Sequence, residues 1–150
     1  MAEALNRYRF PLPKEAVSRV TTDSPAHVGR LRYAVDLIAP EETPVLAAAD
    51  GTVTFVRDDS GRGGPTVAYW NDTNFIVIAH ANNEFTRYDH LAKWSSEVVV
   101  GQPVRAGEQI ARVGMTGFTL LAHLHFQVFV FTGINVWTDF QTLELPSFVA

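Results

Sequence analysis

Short runs of β-branched and aromatic residues, separated by turn residues, most limit what this chain can fold into. Residues 74–80, 85–91 and 123–131 are such runs, and almost no segment repeats its apolar residues with helical spacing. The pattern predicts an all-β fold with antiparallel sheets in a sandwich or barrel-like arrangement.

Turn signals predict how some of these strands connect. Asp50-Gly51, between apolar runs at 45–49 and 52–56, predicts one hairpin, and runs 74–80 and 85–91 predict another. A helical turn is predicted only at 93–96, and the chain from Gly133 onward is predicted to be irregular. No repeat or composition shift marks a boundary, so residues 1–150 are predicted to form one domain.

Composition excludes several function classes. The net charge is −4, from 12 Lys and Arg against 16 Asp and Glu, and no basic run suggests a nucleic-acid partner. The absence of cysteine excludes disulfides and thiolate metal sites. No stretch has the length of a membrane span, and the N-terminus lacks the continuous apolar core of a signal peptide. The sequence as it stands therefore predicts a cytoplasmic location.

His123 and His125 begin the strongest predicted strand. Successive strand residues face opposite sides, so the two imidazoles share one face while Leu124 and Phe126 occupy the other. Such a pair can bind a metal, or can simply form hydrogen bonds at a strand end.

Asp36 is the other polar residue that needs an explanation, because aspartate is depleted from strands and is seldom buried without a partner. A catalytic zinc site takes three protein ligands, and His27, Asp36 and His125 satisfy that requirement without cysteine. His90 and His123 then remain to exchange protons, since histidine titrates near neutrality. These parts favour metal-assisted hydrolysis.

The order of motifs over about residues 8–131 resembles the LytM/lysostaphin-type zinc endopeptidases, peptidase family M23, with residues 132–150 as a C-terminal tail. The motifs that carry the resemblance are His27, Tyr33-Ala34-Val35-Asp36, Asp50-Gly51-Thr52-Val53, His80, Tyr88-Asp89-His90-Leu91, Gly101-Gln102-Pro103-Val104, Thr116-Gly117 and His123-Leu124-His125-Phe126.

The resemblance implies a β-sheet with a central groove, one zinc ion per chain, and a peptide or peptidoglycan substrate cleaved in its cross-bridges or stems. It implies that His27, Asp36 and His125 bind the metal, and that His90 and His123 are catalytic. A periplasmic or extracellular location, usual for the family, follows if a signal peptide has been removed.

Two departures from the family pattern bear on activity. The commoner spacing places a histidine four residues before the aspartate, where this chain has Arg32, so His27 is assigned by similarity to a subgroup with a short insertion. Leu120-Leu121-Ala122 also replace the small residues that often precede His-Leu-His, which predicts a more apolar groove rim.

Three other interpretations are open. A family member without activity could bind peptidoglycan or a partner as a scaffold. Residues 101–113 resemble half of a biotinyl or lipoyl carrier domain, although no lysine stands in a suitable attachment turn. Cupins also use His-x-His, but a glutamate usually follows, and 127–131 contain none.

Overall fold

The computed structural model describes residues 2–22 and 24–149, and most of the regular structure in them is β-strand. The strands are β1 (Arg19–Thr21), β2 (Val35–Ile38), β3 (Pro44–Leu46), β4 (Gly51–Arg57), β5 (Gly63–Gly64), β6 (Phe75–Ala79), β7 (Phe85–Asp89), β8 (Pro103–Val104), β9 (Gln109–Arg112), β10 (Gly117–Phe118), β11 (His123–Phe131) and β12 (Phe140–Thr142). Short 3-10 helices span Lys14–Ala16, Gly29–Leu31, Val67–Asp72 and Ala81–Asn83. In these residues no helix has the length and hydrophobicity needed to cross a bilayer.

Eight strands form one large sheet. Its order is β1-β2-β11-β7-β6-β4-β8, with β12 also paired to β11, and every pairing in it is antiparallel. Strands β3 and β9 form a small antiparallel sheet, whereas β5 and β10 form a short parallel pair. The predicted all-β, antiparallel fold is confirmed; among the strands named above, the β5-β10 pair is parallel, as are two isolated bridges, Glu3–Glu144 and Arg9–Val149.

Side chains alternate along β11, which gives the large sheet one face buried in the core and one face with polar side chains. Leu124 and Phe126 are fully buried in the main hydrophobic core, which also contains Val45 of β3 and Ile110 of β9. The small sheet therefore covers this face. The opposite face of β11 presents His123, His125 and Gln127. Further along that face lies a second, aromatic cluster that includes Phe75, Phe129 and Phe140.

The first predicted hairpin is wrong. Strand β3 pairs with β9, and β4 pairs with β6 and β8 instead of returning along β3. Packing explains why position 51 is glycine although no hairpin turn forms there. A Cβ built at Gly51 would lie 2.3 Å from the carbonyl oxygen of Ala79, so only glycine lets β4 and β6 approach so closely. The second hairpin, β6 with β7, is confirmed.

Two smaller expectations also fail. Residues 93–96 form no helical turn, and the 3-10 helices lie elsewhere. The tail after Gly133 is partly regular, because β12 pairs with the distal part of β11 and buries Phe140. Burial of that aromatic side chain stabilises the pairing of the tail with the sheet.

Candidate metal and catalytic site

His27, Asp36 and His125 converge at one end of the polar face of the large sheet. Each offers one ligand atom, and these three atoms lie within 4.8 Å of one another. The register explains part of this arrangement, because Asp36 on β2 lies directly opposite His125 on β11. The side chains of the three residues are at most 12% exposed, so the cluster is well shielded from solvent.

A tight turn brings His27 to the strands. The backbone N–H of His27 donates to the carbonyl of Ser24 at 2.9 Å, with Pro25 at the second position of the turn, where proline is favoured. The 3-10 helix at Gly29–Leu31 then returns the chain to β2. His27 reaches the site that the resemblance assigned to it, while Arg32 is exposed and lies over the Tyr33 ring.

The spacing of the three groups fits a zinc ion. His27 Nε2 and His125 Nδ1 lie 3.3 and 3.2 Å from Asp36 Oδ1. Ligands at 2.0–2.1 Å on a zinc tetrahedron are roughly 3.3–3.4 Å apart. Asp36 Oδ1 is nevertheless buried without a hydrogen-bond partner among the described residues. A cation bound between the three groups would satisfy this buried carboxylate oxygen.

His123 and His90 stand beside the three candidate ligands. The His123 Nε2 atom is 3.7 Å from Asp36 Oδ1, and the rings of His90 and His123 are 4.6 Å apart. His123 Nδ1 contacts the Leu121 carbonyl at 2.9 Å, and His90 Nδ1 contacts the Thr116 carbonyl at 2.7 Å. A carbonyl can only accept, so both rings carry their proton on Nδ1 and keep the Nε2 lone pair free.

The backbone of His90 adopts an unusual conformation. Its φ is +68°, in the left-handed region that non-glycine residues rarely enter. Thr73 stabilises this conformation by accepting the His90 N–H at 3.0 Å, and it donates to Asp89 at 3.1 Å. Thr116 adds its carbonyl contact to the ring, so His90 is fixed at both backbone and side chain.

Burial controls the charge of this cluster. Burial and the nearby His123 lower the pKa of His90 to about 4, and burial also lowers the pKa of His123. Burial opposes the charges of Asp36 and His125 as well, but their mutual contact outweighs it. The pKa of Asp36 is therefore lowered and that of His125 is raised. At neutral pH His90 and His123 are neutral bases next to a carboxylate.

The metal-free protein should lose stability as the pH falls from about 6.5 to 4. Unfolded histidine protonates near pH 6.5, whereas folded His90 stays neutral down to about pH 4, so the unfolded state binds more protons in this window. The loss should reach about 3 kcal/mol. Denaturant unfolding at several pH values measures it. The raised pKa of His125 matters only at higher pH, where its contribution is lost as the pH rises through it.

His90→Asn provides the control, because asparagine tolerates the left-handed backbone. This variant should show a much shallower pH dependence between pH 4 and 6.5. A residual slope is expected from His80 and His123, whose pKa values burial also lowers. An unchanged slope in His90→Asn would contradict the assignment.

His80 lies apart from this cluster. Its ring contacts the Asp50 carbonyl and the Thr86 hydroxyl, each at 2.7 Å, and packs edge-on against Tyr8. It is absent from the lining of the groove that holds the other four histidines. This position fits a structural role.

A groove of about 830 Å³ passes over the cluster. Leu120 and Leu121 lie exposed on its rim, with Val67 and Trp70 nearby. The more apolar rim inferred from the sequence is therefore present next to the candidate metal site.

Sequence reasoning missed the residues that hold the histidines. Gln127 contacts His125, and Thr73 and Thr116 hold His90. Gln127 could have been found from strand periodicity, since it lies two residues after His125 on the same face. The two threonines lie in distant loops, and nothing local marks them.

Comparison with known proteins identifies the family. The model of peptidase family M23 matches residues 30–136, a range that begins three residues after His27 and contains Asp36, His90, His123 and His125. The DD-carboxypeptidase/endopeptidase Mpg of Neisseria meningitidis is 39% identical over 101 residues, which cover 67% of this chain and 20% of that protein. The peptidoglycan DD-endopeptidase ShyC of Vibrio cholerae is 33% identical over 127 residues, which cover 85% of this chain and 25% of that protein. The chain thus spans a fifth to a quarter of these relatives.

Solved structures of similar proteins support the same family. A zinc-containing peptidase from Vibrio cholerae has a TM-score of 0.58 at 30% identity, over 82% of this chain and 36% of that one. The catalytic domain of lysostaphin from Staphylococcus simulans has a TM-score of 0.55 at 28% identity, over 73% of this chain and 74% of that one. Because the family model covers most of the chain and solved structures of such peptidases share its fold, this protein belongs to peptidase family M23.

Proposed function

We propose that this protein is a zinc-dependent endopeptidase that hydrolyses peptide bonds in peptidoglycan cross-bridges or stems. The observation that carries the proposal is the convergence of His27, Asp36 and His125, where a buried Asp36 oxygen has no hydrogen bond from the described residues. Relatives named as peptidoglycan DD-endopeptidases support the substrate class. Zinc held by these residues would lower the pKa of a water molecule and polarise the scissile carbonyl.

His90 and His123 supply the proton transfers. Each is neutral at pH 7 and keeps Nε2 free, so each can accept a proton from the attacking water. Hydrolysis adds the water oxygen to the carbonyl carbon and breaks the C–N bond, and the departing amine takes the proton. A protonated imidazole can also donate a hydrogen bond to the carbonyl oxygen as negative charge develops there.

Cleavage of defined peptides tests the proposal. The protein is purified, stripped of metal, and incubated with glycine cross-bridge peptides and with stem peptides that contain a D-alanyl cross-link. Mass spectrometry reads the products with no metal, with zinc, and with zinc plus excess chelator. We expect cleavage only with zinc. Chelator-insensitive cleavage, or a zinc-loaded protein that cleaves none of these peptides, would refute the proposal.

A further inference from the structure

Among the described residues, Gln127 is the one side chain in contact with the far nitrogen of a candidate ligand histidine. Its Oε1 lies 2.9 Å from His125 Nε2, while His125 Nδ1 faces Asp36 at 3.2 Å. An amide oxygen can only accept, so this contact places a proton on Nε2 and leaves Nδ1, which faces Asp36, as the nitrogen that can bind a metal. That is the tautomer a metal requires of this ring.

Gln127 lies within the regular part of β11, which pairs with β7. Gln127 is 1% exposed and lies directly opposite Arg87 on β7. Arg87 is itself fixed by two hydrogen bonds to Asp89, at 2.7 and 3.1 Å. Strand periodicity places Gln127 on the same face as His125, two residues along, so its reach to the ring is set by the rigid sheet.

The Gln127 nitrogen shows that packing alone does not explain this residue. Nε2 is buried without a hydrogen-bond partner among the described residues. A buried unpaired amide group destabilises a fold, and an apolar side chain of similar size would avoid that cost. The acceptor oxygen is the part of the side chain with a partner, and that partner is a candidate ligand.

We infer that Gln127 is a positioning residue that fixes the tautomer and ring orientation of His125 and thereby sets the affinity for zinc. The inference rests on the proposed function, since it takes His125 as a ligand. His90 and His123 are not candidate ligands; a backbone carbonyl contacts the His90 ring, and a backbone carbonyl and the Thr119 hydroxyl contact the His123 ring. Outer partners of ligand histidines typically contribute 10–100-fold to metal affinity.

Two substitutions of similar size separate positioning from packing. Gln127→Met removes the acceptor and should weaken zinc binding by roughly 10–100-fold. Gln127→Glu keeps an acceptor and should bind zinc within a few-fold of wild type. If Gln127 served only to pack the sheet, Gln127→Met would be the less disruptive substitution and Gln127→Glu the more disruptive one, because a buried methionine is tolerated better than a buried carboxylate. Gln127→Leu serves as a second acceptor-free variant if the methionine variant does not fold.

Competition with a chelating dye measures zinc affinity, and unfolding of the metal-free proteins measures stability separately. Thr86→Val is the matched control. Thr86 is a buried polar residue on β7 whose hydroxyl contacts His80 and Tyr88, so its substitution should alter stability without altering zinc affinity. Wild-type zinc affinity in the acceptor-free variants would overturn this inference but not the proposed function. The same holds if Gln127→Glu loses as much zinc affinity as Gln127→Met. A wild-type protein that binds no zinc would overturn the proposed function as well.

Discussion

Asp36→Ala is expected to abolish both zinc binding and peptidase activity. Asp36 Oδ1 is the atom that both candidate ligand rings approach, at 3.3 and 3.2 Å, so its loss removes a ligand and the negative charge that balances a cation. The loss of activity should exceed the roughly 100-fold that marks the upper range for outer partners of a metal. Elemental analysis and peptide cleavage measure the two effects on the same preparation.

Asp59→Ala is the matched control, because this carboxylate is 67% exposed and its ion pair within the described part of the chain is with Arg57 at the surface. It should retain one equivalent of zinc and full activity. Stoichiometric zinc or near-normal cleavage in Asp36→Ala would show that the metal, if bound, is held elsewhere. His125→Ala should behave like Asp36→Ala, which gives a second and independent reading of the same site.

Local sequence pattern was enough for the strand that carries the site. The period of two in β11 put His123 and His125 on one face and Leu124 and Phe126 in the core, because strand geometry depends only on neighbouring residues. The out-of-place Asp36 was recognised for a similar reason, since burial of a carboxylate needs a partner wherever it occurs.

Long-range pairing was not predictable in the same way. The run that became β3 is short and apolar, and such a strand matches β4 or β9 equally well by pattern. The choice depends on how the small sheet covers the main core, which no local window contains. The tail strand β12 was missed because its pairing with β11 and burial of Phe140 are tertiary effects.

The approach of His27 to Asp36 could be predicted from the sequence only in part. Eight residues lie between them, and their contact depends on a proline turn and a 3-10 helix whose combined geometry cannot be read from the spacing alone. Motif resemblance supplied the pairing, and the structure brings the two side chains to 3.3 Å. The left-handed backbone of His90 had no sequence signal, because non-glycine residues rarely adopt this conformation and no glycine marks the position.

His123→Ala and His90→Asn are expected to separate catalysis from metal binding. Neither ring is among the three convergent ligand groups, yet both keep a neutral Nε2 beside them. Each substitution should therefore lower kcat/KM for peptide cleavage by about 10²–10⁴-fold, the usual contribution of general acid–base catalysis, while one equivalent of zinc remains. His80→Gln, on a histidine bonded to Asp50 and Thr86 outside the groove, should retain activity. Loss of zinc together with activity in His123→Ala would instead make His123 a ligand, since its Nε2 is only 3.7 Å from Asp36 Oδ1.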